Sequence, residues 1–256
     1  MSDAWVSHHG MTSDQYQKYF DQYVKDGYSL TLVSGYSMKG DGGDRYAAIW
    51  VKNSGPAFVA HHRMTSQQYQ AYFDQYVKEG YRLSDVSGYD REGVANYAAI
   101  WVKTSGPEWV ARHGLTSDQY QAAFDQYVKD GYRLRLVDGY TVGSDFYAAI
   151  WDKSPAEAWV AHHRMTSDQY QAYFDKYVGE GYRLVDVSGY TVGGVANYAA
   201  LWVKGPGPAF VAVHGLTSPQ YQAVFDKHVK EGYQLVLVDG YEVGGQDLYA
   251  AIWNKA

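Results

Sequence analysis

Apolar and polar positions along this chain fall into one block that is written five times. In the third copy, Trp109-Val110-Ala111-Arg112-His113 reads as a short extended segment covered on both faces. A helix start follows, with Thr116 as N-cap, Gln119 three residues on to complete a capping box, and Leu115 placed to staple onto Tyr120. Asp118 stands at the positive end of the helix dipole. Tyr120, Phe124, Tyr127 and Val128 fall at i, i+4, i+7 and i+8, which makes one apolar stripe, while Gln121, Asp125, Gln126 and Lys129 lie on the wet side. Gly131 ends the helix in the left-handed conformation. Tyr132 through Val137 then alternate with period two as a second strand. Asp138-Gly139 reads as the turn that closes it, Tyr140 to Phe146 as a polar connection, and Tyr147-Ala148-Ala149-Ile150-Trp151 as a third strand.

The block begins at Trp5, Phe58, Trp109, Trp159 and Phe210, a period of roughly 50 residues that marks a repeat architecture. The expected units are 4-54, 55-105, 106-154, 155-205 and 206-256, joined by Ser-Gly-Pro at 54–56 and 105–107, Ser-Pro at 154–155 and Gly-Pro-Gly-Pro at 205–208. In the last copy Pro219 falls in the first helical turn, where its missing N–H is harmless, and His228 replaces the stripe tyrosine. A segment this short buries too little surface to stand alone, so the units must shelter apolar faces against each other. An open solenoid needs polar end caps, and neither the first nor the last copy departs from the pattern. The expected fold is therefore α+β: five strand–helix–strand–strand repeats closed into a pseudo-five-fold, propeller-like ring. The third strand, with its paired alanines, is expected at the crowded axis. Copies two and four share His-His-Arg-Met and Gly-Val-Ala-Asn-Tyr, copies three and five share His-Gly-Leu and Leu-Val-Asp-Gly-Tyr, and copy one leans to the odd type. In a ring of five, the seam between copies five and one joins two odd-type units, a place where function could concentrate.

Bulk properties narrow the partners. A net charge of −6 opposes a nucleic-acid footprint, which needs a basic stripe, and opposes an anionic membrane surface. No apolar run approaches the ~20 residues of a membrane span. Met1-Ser2-Asp3 leads directly into the first repeat, so no signal peptide is expected, and the compartment stays open. With no cysteine there are neither disulfides nor thiolate metal sites. The 27 tyrosines and eight tryptophans mostly repeat in register, which assigns them to packing before any sugar-binding surface.

The W-V-A-x-H…Y-Q-x-x-F-D…G-Y-x-L…Y-A-A-I-W unit resembles the bacterial tandem-repeat module found ahead of the catalytic domain in polyglycine hydrolases and related secreted serine hydrolases. The resemblance covers the whole chain, five times over. It implies a small propeller-type assembly, a non-catalytic accessory role and a secreted host. The catalytic half of such proteins is a serine β-lactamase-type domain that needs S-x-x-K. No serine here has a lysine three residues later, so hydrolase activity does not carry over.

Candidate chemistry is sparse. His9, His62, His113, His163 and His214 occupy one position in all five copies, and His8, His61 and His162 precede three of them. Five such imidazoles could line a rim and bind a ligand. Neighbours on a strand point to opposite faces, however, so a His-His pair is no chelate and no metal site is expected. The plainer expectation is a buried histidine donating to a backbone carbonyl. Asp21, Asp74, Asp125, Asp175 and Asp226 repeat on the wet helix side, and Asp85 and Asp186 occur in the second strand of even copies only. Asp138 and Asp239 occur in odd copies, where turn hydrogen bonding accounts for them. The connection before the third strand varies most between copies, and loops of this kind on a rigid scaffold favour binding. There Asp44, Asn96, Asp145, Asn197 and Asp247 stand just before the tyrosine, a carboxylate or amide beside an aromatic. No G-x-S-x-G, H-E-x-x-H, Walker or dinucleotide pattern is present, so neither an enzyme nor a cofactor is expected. The expected function is a non-catalytic binding or scaffold module, monomeric, with a carbohydrate or protein as the multivalently recognised ligand; the alternative is a purely structural or protein-interaction ring.

Overall fold

The computed structural model describes residues 4–38, 43–53, 55–155 and 157–256. The first three residues, the glycine-rich stretch at 39–42 and the joint residue Ser54 lie outside the described residues. The first unit runs β1 (Trp5–Thr12), α1 (Ser13–Lys25), β2 (Tyr28–Ser37) and β3 (Asp44–Lys52). The second is β4 (Phe58–Thr65), α2 (Ser66–Lys78), β5 (Arg82–Arg91) and β6 (Val94–Val102), and the third β7 (Trp109–Leu115), α3 (Ser117–Lys129), β8 (Arg133–Val142) and β9 (Ser144–Asp152). The fourth is β10 (Trp159–Thr166), α4 (Ser167–Gly179), β11 (Tyr182–Val192) and β12 (Val195–Lys204). The fifth is β13 (Phe210–Thr217), α5 (Ser218–Lys230), β14 (Tyr233–Val243) and β15 (Gln246–Lys255).

Local chemistry places each helix. In α1 to α4 the N3 amide donates to the threonine cap, while the N3 glutamine side chain accepts from the threonine amide. In α5 Gln220 still accepts from the Thr217 amide at 2.9 Å, with Pro219 in the first turn. Gly27, Gly80, Gly131, Gly181 and Gly232, just beyond the helices, all take positive φ. Val128 departs from the expected stripe and is 40 % exposed. Eight residues after Tyr120 it lies about 80° round the helix, at the stripe's border.

Each unit forms one antiparallel three-stranded sheet, in the order β1-β3-β2 and its equivalents. The third strand is thus the middle of its own sheet rather than the element expected at an axis. Its Ala47, Ala48 and Trp50, and their counterparts, are fully buried because both neighbours and both faces are covered. The two faces separate with period two. Tyr46, Ala48 and Trp50 pack with Tyr16 of α1 and with Ala98 and Ile100 of the second unit. Ala47 and Ile49 instead pack with Tyr221, Leu235 and Trp253 of the fifth. The buried residues of every hydrophobic cluster therefore come from two units.

The second strand of each unit carries the contacts to the next: β2 meets β5, β5 meets β8, β8 meets β11, β11 meets β14, and β14 meets β2. This overturns the turn expected at Asp138-Gly139. Both residues lie inside β8, and the hairpin is made at Gly143 (φ 71). A Cβ on Gly139 would collide with the Tyr190 ring of the fourth unit, so the glycine marks a close approach rather than a reversal.

Candidate functional site

A register shift in the first strand of each unit, between His8 and Met11 in β1, lifts His9 and Gly10 out of the ladder. His8 and His9 consequently diverge. His8 stacks on Tyr19 at 4.0 Å and its Nε2 meets the Tyr23 hydroxyl at 2.7 Å, both within its own unit. His9 crosses to the fifth unit, where Nε2 lies 3.0 Å from the Ser218 hydroxyl. The same bridge joins His62 to Ser13 (2.9 Å), His113 to Ser66 (2.9 Å), His163 to Ser117 (3.0 Å) and His214 to Ser167 (3.0 Å). The partner is thus the first helical serine of the preceding unit and not the backbone carbonyl expected. Each ring also packs edge-on against two tyrosines of that unit, as His62 does against Tyr16 and Tyr46. Burial lowers the pKa of all five, that of His62 to about 4. They are neutral near pH 7.

The five acid and amide candidates do not occupy one register position. Asp44, Asp145 and Asp247 stand two residues before the tyrosine, whereas Asn96 and Asn197 stand one before it. Period two sends the two sets to opposite faces. Asn96 and Asn197 donate to the Val94 and Val195 carbonyls, both at 3.1 Å, inside their own hairpins. The true counterparts of the aspartates in even units are Ala95 and Ala196.

The aspartates face the next unit. The Asp44 carboxylate accepts Nε of Arg63 at 2.7 Å, Nη2 at 2.5 Å and the Tyr46 hydroxyl at 2.5 Å. Burial pushes the Asp44 carboxyl up, but the bonds from Arg63 and Tyr46 outweigh it and bring it down to about 2. Asp145 pairs likewise with Arg164 (Nε–Oδ2 3.0 Å) and Tyr147 (2.8 Å). Arg63 and Arg164 hold positive φ values of 56° and 53°, at the bulge position filled elsewhere by Gly10, Gly114 and Gly215. Asp247 accepts the Tyr249 hydroxyl at 2.9 Å and has no ion-pair partner among the described residues. It is half-buried, where Asp44 and Asp145 are buried.

Sequence reasoning missed the densest polar cluster, on the second strands. These strands do not form a common ladder; side chains bridge them instead. The Val33 amide donates to Asp85 (2.7 Å), Gly88 to Asp138 (2.7 Å), Val137 to Asp186 (2.8 Å) and Gly189 to Asp239 (2.6 Å). The first unit has no such carboxylate, and the Ser34 hydroxyl accepts from Gly240 and donates to Asp239, both at 3.0 Å. Burial drives all four carboxyls up: Asp85 and Asp239 to about 7, Asp186 to about 8, and Asp138 well above the ordinary range, helped by the Asp239 charge. The available signal was an aspartate inside an apolar run, Leu184-Val185-Asp186-Val187, which a half-buried strand does not tolerate without a partner. Asp138 and Asp239 border two cavities. One, of about 100 Å³, is lined by the Gly-Tyr pairs of all five units, and the other, of about 30 Å³, is also lined by Asp85 and Asp186. Tyrosine hydroxyls complete the links: Tyr46–Tyr89, Tyr97–Tyr140, Tyr147–Tyr190, Tyr198–Tyr241 and Tyr249–Tyr36, at 2.5 to 2.8 Å.

Among the described residues no group of three or more histidines and carboxylates is arranged to hold a metal ion, and no helix is long and apolar enough to cross a membrane. A family model described as polyglycine hydrolase-like, structural repeat matches residues 2–53, 55–104, 106–154, 156–205 and 207–256. No curated protein matches the chain.

Proposed function

Because the chain belongs to the polyglycine hydrolase-like structural repeat family, we propose that it is a non-catalytic scaffold whose five units close into a pseudo-five-fold, propeller-like ring. One observation carries this reading. The five bulge histidines, the second-strand aspartates and the paired tyrosine hydroxyls are bonded from one unit to the next, and the links from the fifth unit to the first (Ser218–His9, Tyr249–Tyr36, Gly240–Ser34) repeat those between consecutive units. A histidine that is neutral, packed between tyrosines and bonded to serine is built for holding, and such bonds contribute about 1 kcal/mol each. The buried carboxylates serve the same end by satisfying amides that no strand partner reaches. The rigid ring then presents its hairpins and outer helix faces.

A second reading, multivalent recognition of a glycan, is favoured by the parallel stacks His8–Tyr19–Tyr23, His61–Tyr72–Tyr76 and His162–Tyr173–Tyr177. Tyr19, Tyr72 and Tyr173 are partly exposed there, aromatic surfaces of the kind a sugar ring covers. Calorimetry of the chain against a panel of oligosaccharides tests the choice. The scaffold reading expects no saturable heat; saturable binding of about three sugars per chain, abolished by replacing Tyr19, Tyr72 and Tyr173 with alanine, would replace it with the glycan reading.

A further inference from the structure

The unit-to-unit junctions obey a pairing rule that the fifth breaks. Between units one and two, Asp44 meets Arg63, and between three and four, Asp145 meets Arg164. Between two and three the same positions hold Ala95 and Gly114, and between four and five Ala196 and Gly215. Aspartate thus faces arginine and alanine faces glycine, because units alternate between two types. An alternating code cannot return to its start after an odd number of steps. At the junction of five and one, Asp247 faces Gly10. The carboxylate is present and the arginine of the bulge position is not, while Arg45 of β3 stands within electrostatic reach of Tyr36.

We propose that this seam is a binding site for a guanidinium group presented by an arginine-bearing polypeptide segment from outside the five units. The ligand chemistry is read from the molecule itself, which fills the equivalent space twice with its own arginines. In the first junction that group is held by a two-pronged contact, Nε on Oδ2 and Nη2 on Oδ1, geometry that a carboxylate offers to guanidinium and not to ammonium. The supporting tyrosine arrangement is intact at the seam: the Tyr249 hydroxyl donates to Asp247 and meets Tyr36, as Tyr46 does with Asp44 and Tyr89. Space is present as well. Among the described residues, beyond Gly10's own chain neighbours, the only atom within 4 Å of a built Cβ is the Tyr249 hydroxyl oxygen at 3.6 Å, and the greater exposure of Asp247 over Asp44 and Asp145 is the cover that an arginine would supply. Arg63 and Arg164 are themselves 38 % and 47 % exposed, so the slot is reached from solvent. The proposal rests on the ring closure proposed above, through the contact between units five and one, and not on the glycan reading.

The test is an amide NMR titration of the full chain at constant ionic strength with acetyl-Gly-Arg-Gly-amide, and in parallel with acetyl-Gly-Lys-Gly-amide. The expected result is saturable shifts centred on His9, Gly10 and Tyr249 with the arginine peptide. The lysine peptide and the Asp247→Asn chain should each bind about tenfold more weakly or not at all. Two further variants read the geometry. Gly10→Arg, whose φ of 64° is near that of the two native arginines, should occupy the slot and abolish the shifts. Arg63→Gly should create a second site, at Asp44. Shifts that survive Asp247→Asn or Gly10→Arg, equal binding of the two peptides, failure of Arg63→Gly to add a site, or no saturation with the native chain would each overturn the proposal.

Discussion

Asp186 accepts the Val137 amide across the gap between β11 and β8, and burial holds its carboxyl at about 8 against an ordinary value of 3.8. Asp85 and Asp239 are held at about 7 for the same reason. A carboxyl whose folded pKa lies above its unfolded one keeps a proton in the native state that unfolding releases. Stability is therefore fullest below the unfolded value and is lost as pH rises toward the folded one. The buried histidines act oppositely. Their pKa values are lowered from 6.5, so they withdraw stability as pH falls through about 7 and below. Between pH 7.5 and 8.5 the buried histidines are almost wholly neutral in both states, and the carboxyls dominate the change. Stability should fall across that interval, with Asp186 contributing on the order of 1 kcal/mol. Asp186→Asn keeps an oxygen for the Val137 amide and should flatten part of the fall. Thermal melts at the two pH values read this, and identical slopes for parent and variant would refute it. At this scale the sequence singled out the five repeated histidines but not their partners. Ser13 lies 49 residues from His62, on another unit, and no local pattern encodes that distance.

The helices were readable from sequence to the residue because everything that defines them is local: a threonine cap, a glutamine three positions on, a glycine after the last turn. The second strand was misread because what it needs lies in the next unit. Two glycines separate these cases. Gly27 ends α1 at φ 82° with nothing within 4 Å of a built Cβ. Gly27→Ala should cost only the left-handed strain, about 1 to 2 kcal/mol. Gly35 lies within β2, and a Cβ there would stand 2.6 Å from the Tyr89 ring of the second unit. Tyr89 is buried and bonded to both Tyr46 and the Arg63 amide, so it cannot swing aside. Gly35→Ala should therefore cost about 3 kcal/mol or more by overpacking. Urea midpoints measure both, and equal losses would mean that the strand glycine is not set by its neighbour's ring. The same reasoning explains why Asp138-Gly139 looked like a turn. Asp-Gly is turn-forming chemistry in isolation, and only the Tyr190 ring, supplied by the fourth unit, makes it a strand.

At the scale of the molecule, the period foretold five units and their mutual dependence, while the choice of second strands as the meeting edges was set by packing that a repeat unit alone does not reveal. The proposed closure into a ring makes a demand on chain length that can be checked. Lys52, Lys103, Lys153 and Lys204 each donate an amide to the residue that opens the same unit's first strand, Ala4, Ala57, Glu108 and Ala158, and Lys255 does so to Ala209. Between one such lysine and the next opening residue, as from Lys204 to Ala209, lie four residues at every covalent joint. From Lys255 through Ala256 and Met1-Ser2-Asp3 to Ala4 there would also be four, were Ala256 joined directly to Met1. A circular permutant made by that fusion and reopened between Ser105 and Gly106 keeps every inter-unit cluster and moves only the break. It should melt in one cooperative transition within about 4 °C of the parent, the shift that ~1 kcal/mol produces in a domain of roughly this size. A chain ending at residue 205 keeps four units and the three joints between them, yet strips the partners from Ala47 and Ile49 on one side and from the α4 face on the other. It should lose the cooperative transition. Scanning calorimetry of the two chains decides the matter, because an open array would tolerate loss of an end unit better than relocation of its ends, and a ring responds the other way round.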